Sequence, residues 1–253
     1  MKIFQSILVA LVCVFTLYGA DGEKITEKLE EIKSAHEAAY FTFSQESYMK
    51  IWGDCERIVA MAPDNEPAKY FAAYTAYRLM NGGLVNNDKS VVEKYADAGL
   101  KYANQISVDD HLKTEAAIIK ANIIMMKLAI FPQEAATLSG QVHGLLGEAL
   151  GREPENPRAL LTKGIMLFNT PETYGGSVEK AAELFATAKE KYSPEDESLV
   201  NWGHPETMAW LGQAYARLGK MESAKEVYNE ALIKYPEFNW VKYKLLPALD
   251  KQK

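Results

Sequence analysis

Between residues 205 and 236 the apolar positions recur with the period of an α-helix, not that of a strand. Met208, Leu211, Gly212 and Tyr215 share one stripe, and Pro205 and Glu206 suit the first turn of the helix that carries it. Proline has no N–H to leave unpaired there, and the carboxylate faces the positive end of the helix dipole. Gly219-Lys220 interrupts the helix, Ala224, Tyr228 and Ala231 form the stripe of a second one, and Pro236 stops it. The same rhythm returns over 157–192, where Leu160, Gly164 and Leu167 precede Ala181, Phe185 and Ala188. Gly164 and Ala181 are five residues further apart than Gly212 and Ala224, which places an enlarged inter-helix loop at 169–177. Looser copies pair 114–126 with 141–151, 67–80 with 91–106, and 25–40 with 44–61. A closing helix is predicted at 239–249, with longer loops at 81–90 and 131–140. No stretch alternates with period two for long enough to make a strand. The pattern predicts an all-α chain of about five antiparallel helix pairs plus a C-terminal capping helix.

The residue types inside the rhythm carry a resemblance. Leu211-Gly212 with Tyr215, followed by Ala224 and Tyr228, resembles the tetratricopeptide repeat (TPR), with Met208 where the family has its leading Trp. Gly212 and Ala224 are small where two helices must approach closely, and Tyr215 and Tyr228 fill the space on either side. The resemblance implies a TPR-like superhelix, its best repeats at 157–192 and 205–238. Over 154–240, Asn156-Pro157-Arg158-Ala159, Tyr174-Gly175-Gly176, Asn201-Trp202-Gly203 and Asn239-Trp240 are similar as a set to exported bacterial TPR proteins. The Gly-Gly loop before a Lys-Ala helix is also similar to the periplasmic TPR component associated with TRAP transporters, without the lipobox common there.

The N-terminus changes the picture. Met1-Lys2, an apolar run over 7–18 and the small pair Gly19-Ala20 predict a signal peptide at 1–20, cleaved after Ala20. What remains is one repeat domain over 21–253, periplasmic or otherwise exported, with no integral membrane span. A formal net charge of −6 argues against nucleic acid or an anionic membrane as partner. Of two cysteines, Cys13 lies in the apolar run, so Cys55 is left alone and no internal disulfide follows.

Candidate chemistry is sparse. His36, His111, His143 and His204 show no metal-ligand spacing, Asp109 and Asp110 suit a helix cap, and Cys55 lies on an apolar stripe. No catalytic residue, cofactor or metal is assigned, and the chain is read as a non-enzyme. Tyr174-Gly175-Gly176 lacks phosphate-loop spacing and is read as a tight turn. Trp202 is read as an anchor against the 169–177 loop, and Gly212 and Tyr215 as packing residues. In a TPR array the first helices of each pair line a concave face, where helical projection puts Asn122, Arg158, Thr162, Ile165, Asn169, Trp210, Gln213 and Arg217. Trp210 reads equally well as packing or as binding. The expected function is an exported scaffold holding a protein or peptide of the cell envelope on that face. The alternative is a periplasmic carrier of a small apolar ligand, working with an envelope transporter and lined by the aromatic and Met residues of 70–80 and 118–128.

Overall fold

A computed structural model describes residues 2–42, 44–193 and 198–250, with side chains from residue 22 onward. Its helices follow one another as α1 (Lys2–Thr42), α2 (Gln45–Met61), α3 (Glu66–Asn86), α4 (Lys89–Ala103), α5 (Asp110–Ile130) and α6 (Ala135–Arg152). Then come α7 (Pro157–Asn169), α8 (Val178–Lys191), α9 (His204–Arg217), α10 (Met221–Lys234), a π-helical turn at Val241–Leu245 and the short α11 (Leu246–Leu249). No strand occurs among the described residues, and the fold is all-α. The expected signal peptide falls on the first half of α1, where side chains lie outside the described residues.

Local chemistry sets most of these boundaries. Ser44, Asn65, Asp88, Asp109, Asn156 and Ser177 each stand before a helix and accept a hydrogen bond from a first-turn N–H, the groups a helix cannot satisfy itself. Glu66 caps from a distance: its carboxylate accepts from the N–H groups of Ser107, Val108 and Asp109 at 2.6, 2.8 and 2.9 Å. Burial works against the charge, but these bonds hold the Glu66 carboxyl below the usual range.

Two expected loops are helix instead. Residues 81–86 continue α3, and 135–140 open α6. Asn81-Gly82-Gly83 reads as a break, yet a Cβ on Gly83 would stand 2.7 Å from Val92 Cγ2, and one on Gly82 would stand 2.8 Å from Gln45 Cδ. Glycine here admits close neighbours and does not end the helix. Gly212 is the same device inside the last pair, where a Cβ would lie 2.1 Å from Tyr228 Cε1.

Helices pair with their chain neighbours, and the first helices of successive pairs also meet, α3 with α5, α5 with α7 and α7 with α9. That makes an inner layer of first helices. Most of α3 is buried on all sides, whereas α4 and α8 bury one stripe. The inner layer then curls back on itself. Arg78 of α3 reaches Glu206 of α9 at 3.5 Å, and Tyr40 at the end of α1 packs its ring 5.7 Å from that of Phe238. The connection between α8 and α9 closes the gap: Lys33 Nζ donates to the Ser198 carbonyl at 2.8 Å, and Asn201 Nδ2 donates to Glu37 Oε1 at 3.0 Å. Among the described residues, no helix is long and apolar enough to cross a membrane.

Candidate functional site

Where the chain curls back, it leaves a partly open cavity of about 390 Å³ between α1, α3, residues 192–193 and 199–205, and the end of α10. Its size falls within the range of small-molecule sites. One group of aromatic residues comes from α3 and the connection. Tyr70 and Tyr74, a helical turn apart, stack at 6.5 Å between centroids, and Trp202 stacks on Tyr74 at 5.1 Å with only 19° between the planes. The Trp202 indole N–H donates to the Tyr70 hydroxyl at 2.7 Å, so the polar edge of the ring is satisfied while its face stays apolar. A second group comes from the end of α1, the start of α9 and the residue after α10. Phe41 stacks on Tyr235 at 5.6 Å, and His204 Nδ1 is 2.6 Å from the Tyr235 hydroxyl.

His36 closes one side of the cavity, 5% exposed, with its ring 4.7 Å from that of Tyr74. The Thr75 hydroxyl donates to the Phe71 carbonyl at 2.6 Å, so it accepts from His36 Nε2 at 2.9 Å. This fixes the proton on Nε2 and leaves Nδ1 a buried acceptor without a hydrogen-bond partner. Burial, helped by the Arg78 charge, holds His36 down at about 3. Burial, then the charges of Lys234 and Lys189, hold His204 at about 4. Burial also raises the phenols of Tyr40, Tyr70, Tyr74 and Tyr192. The two imidazoles and these phenols are therefore neutral at pH 7. Charge is carried at the cavity by Lys33, Glu37 and Lys234. Such a lining can hold a flat apolar ring by stacking.

The fold is similar to that of the HusA haemophore from Porphyromonas gingivalis. The two superpose with a TM-score of 0.60 at 23% sequence identity, covering 78% of this chain and 93% of that chain. No protein-family model and no curated protein sequence matches the chain. At this identity the likeness speaks for the fold.

Of the residues singled out from the sequence, Trp202 lines the cavity. Its ring partner is α3, where a contact with the 169–177 loop was expected. Asn122, Arg158 and Thr162 are buried between α5 and α7: Asn122 Nδ2 donates to Thr162 Oγ1 at 2.9 Å, and Arg158 Nε donates to Glu115 at 2.8 Å. Ile165 is half-buried, while Asn169 is exposed and bonds back to the Ile165 carbonyl. Trp210 packs among Phe168, Phe185 and Trp240, with centroids 5.4, 6.3 and 5.9 Å away. Half-buried Gln213 donates to the Ala209 carbonyl, and exposed Arg217 lies 4.9 Å over the Phe168 ring and donates to the Phe168 carbonyl. In the enlarged loop Tyr174 is exposed, Gly175 takes φ 87° and Gly176 is buried; Tyr215 is half-buried near Lys220.

His111, Glu115 and Glu153 also converge, their ligand-type atoms within 4.8 Å of one another. All four carboxylate oxygens are already taken, by Arg158, by Asn156 twice and by His111, which makes the cluster an ion-pair network between α5 and the start of α7. Cys55 is buried beside Thr75, and burial pushes its thiol up to about 12, where it is inert.

Sequence reasoning missed His36, Phe41, Tyr192, His204 and Tyr235 as cavity residues. The tyrosine stripe of α3 was visible as one wall of a possible ligand channel. The 118–128 stretch is not part of the lining, since Ile118, Ile119 and Ile123 are fully buried in packing.

Proposed function

We propose that this protein is an exported carrier, built on TPR-type helix pairs, that holds a planar, largely apolar ligand of the porphyrin class in the cavity and performs no reaction on it. The carrying observation is the stack of Trp202 on Tyr74 at the cavity wall, fixed by the bond from Trp202 to Tyr70. A ring held in this way can meet a flat ligand on its remaining face without rearranging, which keeps the ordering cost of binding low. The fold's likeness to a haemophore makes haem the first ligand to test. The apolar run at 7–18 supports export. A peptide groove is the weaker reading, because Asn122, Arg158 and Thr162 are spent on contacts between helices.

Titration of the purified chain with haem and with metal-free protoporphyrin, read by porphyrin absorbance and tryptophan quenching, tests the proposal. Saturable binding is expected for both. Tyr74→Leu should weaken it about tenfold, the equivalent of one lost aromatic stack. No saturable binding of any porphyrin, or equal binding by a folded Tyr74→Leu variant, would refute it.

A further inference from the structure

Stacking treats a metal-filled and a metal-free porphyrin alike, so the groups able to tell them apart are the Lewis bases of the cavity wall. Among the phenols that line it, Tyr40, Tyr70 and Tyr74 are buried in helix packing, and the Tyr192 hydroxyl is fully enclosed. Nδ1 of His36 is enclosed as well. Tyr235 differs. It is half-buried, stands directly after α10, and has its ring held on Phe41 at 5.6 Å. Its hydroxyl lies 2.6 Å from Nδ1 of His204, the first residue of α9, and among the described residues it has no other hydrogen-bond partner. Tyr192 packs on the same imidazole, with ring centroids 5.2 Å apart. His204 is neutral, so Nδ1 can accept from the phenol, which leaves the lone pairs of the Tyr235 oxygen unspent. Burial pushes this phenol up to about 12, and alone it stays protonated at pH 7. A trivalent ion facing the oxygen pulls the other way, and an imidazole in contact gives the proton somewhere to go. A phenol set against a base is thus a latent phenolate, a hard anionic oxygen of the kind that holds ferric haem.

We propose that the Tyr235 oxygen binds the metal of a ferric porphyrin seated in the cavity, with His204 as the base that takes its proton. This rests on the carrier reading and adds to it the metal state of the cargo. The O–H bond of Tyr235 breaks, the proton goes to His204 Nδ1, and an Fe–O bond forms as a water molecule leaves the iron. His204 then releases its other ring proton from Nε2 to solvent, because burial disfavours a standing imidazolium. Iron stays ferric throughout, and no electron is gained or lost. The imidazole ends neutral, with Nδ1–H donating to the phenolate, the kind of supporting bond that orients a metal ligand. Tyr235 is then the ligand and His204 a positioning residue.

The experiment compares ferric protoporphyrin with metal-free protoporphyrin on the parent chain, on Tyr235→Phe and on His204→Gln, by titration and by the visible and EPR spectra of the ferric complex. The parent should bind the ferric compound about tenfold more tightly, a decade in Kd for the added bond. Its complex should be high-spin, with a phenolate-to-iron charge-transfer band. Tyr235→Phe keeps the ring on Phe41 and removes only the oxygen. The band should vanish and ferric affinity fall to the metal-free level, while metal-free binding stays unchanged. His204→Gln offers the phenol an acceptor that cannot take a proton; it should weaken the band and remove most of the ferric preference, up to about tenfold, again sparing the metal-free compound. Metal-free binding shows that each variant is folded, and the parent's own spectrum and affinity ratio decide the matter where a variant is not. Equal affinity for the two compounds in the parent, or a band that survives Tyr235→Phe, would overturn the inference and leave the carrier reading intact. So would a low-spin, imidazole-type spectrum lost in His204→Gln, which would put the bond on His204. Binding of neither compound would remove both.

Discussion

Replacing Trp202 by alanine should destabilise the whole chain, because that ring joins parts of the molecule that the local helix pairs do not join. Trp202 packs against both large apolar clusters, one centred on α1–α4 and the other on α8–α10. Removing a fully buried Trp costs about 3–5 kcal/mol, and the half-buried state of this one reduces the packing loss to roughly half of that. The stack on Tyr74 contributes about 1 kcal/mol, and the indole–phenol hydrogen bond about another. The sum is about 3.5–4.5 kcal/mol, which for a chain of this size lowers the melting temperature by roughly 7–18 °C. A double-mutant cycle isolates the hydrogen bond. Trp202→Phe leaves the Tyr70 hydroxyl buried without its donor, Tyr70→Phe leaves the indole N–H without its acceptor, and the double change removes both. A coupling of about 1 kcal/mol is expected in urea unfolding. If Trp202→Ala melts with the parent, or the two conservative changes add with no coupling, the closure described here does not hold the fold together.

Other positions give independent checks. Gly212→Ala inserts a methyl against the ring of Tyr228, 2.1 Å from Cε1, and should cost about 1–3 kcal/mol in thermal unfolding, with Tyr228→Leu relieving it. Arg158→Met leaves the Glu115 carboxylate buried with only Asn156 to satisfy it, and should cost about 3–5 kcal/mol; Arg158→Met with Glu115→Leu should recover most of that loss in the same assay. His36 is held at about 3 in the fold against about 6.5 unfolded, so between those values the unfolded chain binds the extra proton. Its contribution is therefore complete above pH 6.5 and drains away as pH falls, by about 1.4 kcal/mol per pH unit. Stability measured from pH 7 to 4.5 should fall less steeply by that slope in His36→Gln, and parallel curves would contradict the assignment.

Most helix pairs were legible because small residues and prolines mark where chains must cross or turn. Ala224 below Gly212, and Pro157 after its cap Asn156, are constraints of a few residues each. Gly82-Gly83 was misread since a glycine that ends a helix and one that admits a neighbour look alike without the neighbour. Val92 and Gln45, which crowd those positions, are fixed only by tertiary packing. The cavity was harder still. His36, Tyr74, Trp202 and Tyr235 gain meaning only once the inner layer has curled, and the amount of curl is summed over every pair. One signal did exist: α3 is apolar on several faces, and a helix of that kind must be covered on all of them, here partly by a distant connection that carries a tryptophan.

That distant connection also sets an order of events during synthesis. His36 and Tyr40 are made long before Trp202, His204 and Tyr235. Helix pairs can assemble behind one another in chain order, but the pocket has no second wall until Trp202, His204 and Tyr235 have followed. Bringing positions 37 and 201 together is a long-range closure, the kind of contact whose loop entropy must be met before it rewards the fold. A chain that stops before Trp202 is thus an array of helices with nothing to hold, and the hollow comes only with the segment from 199 to 235.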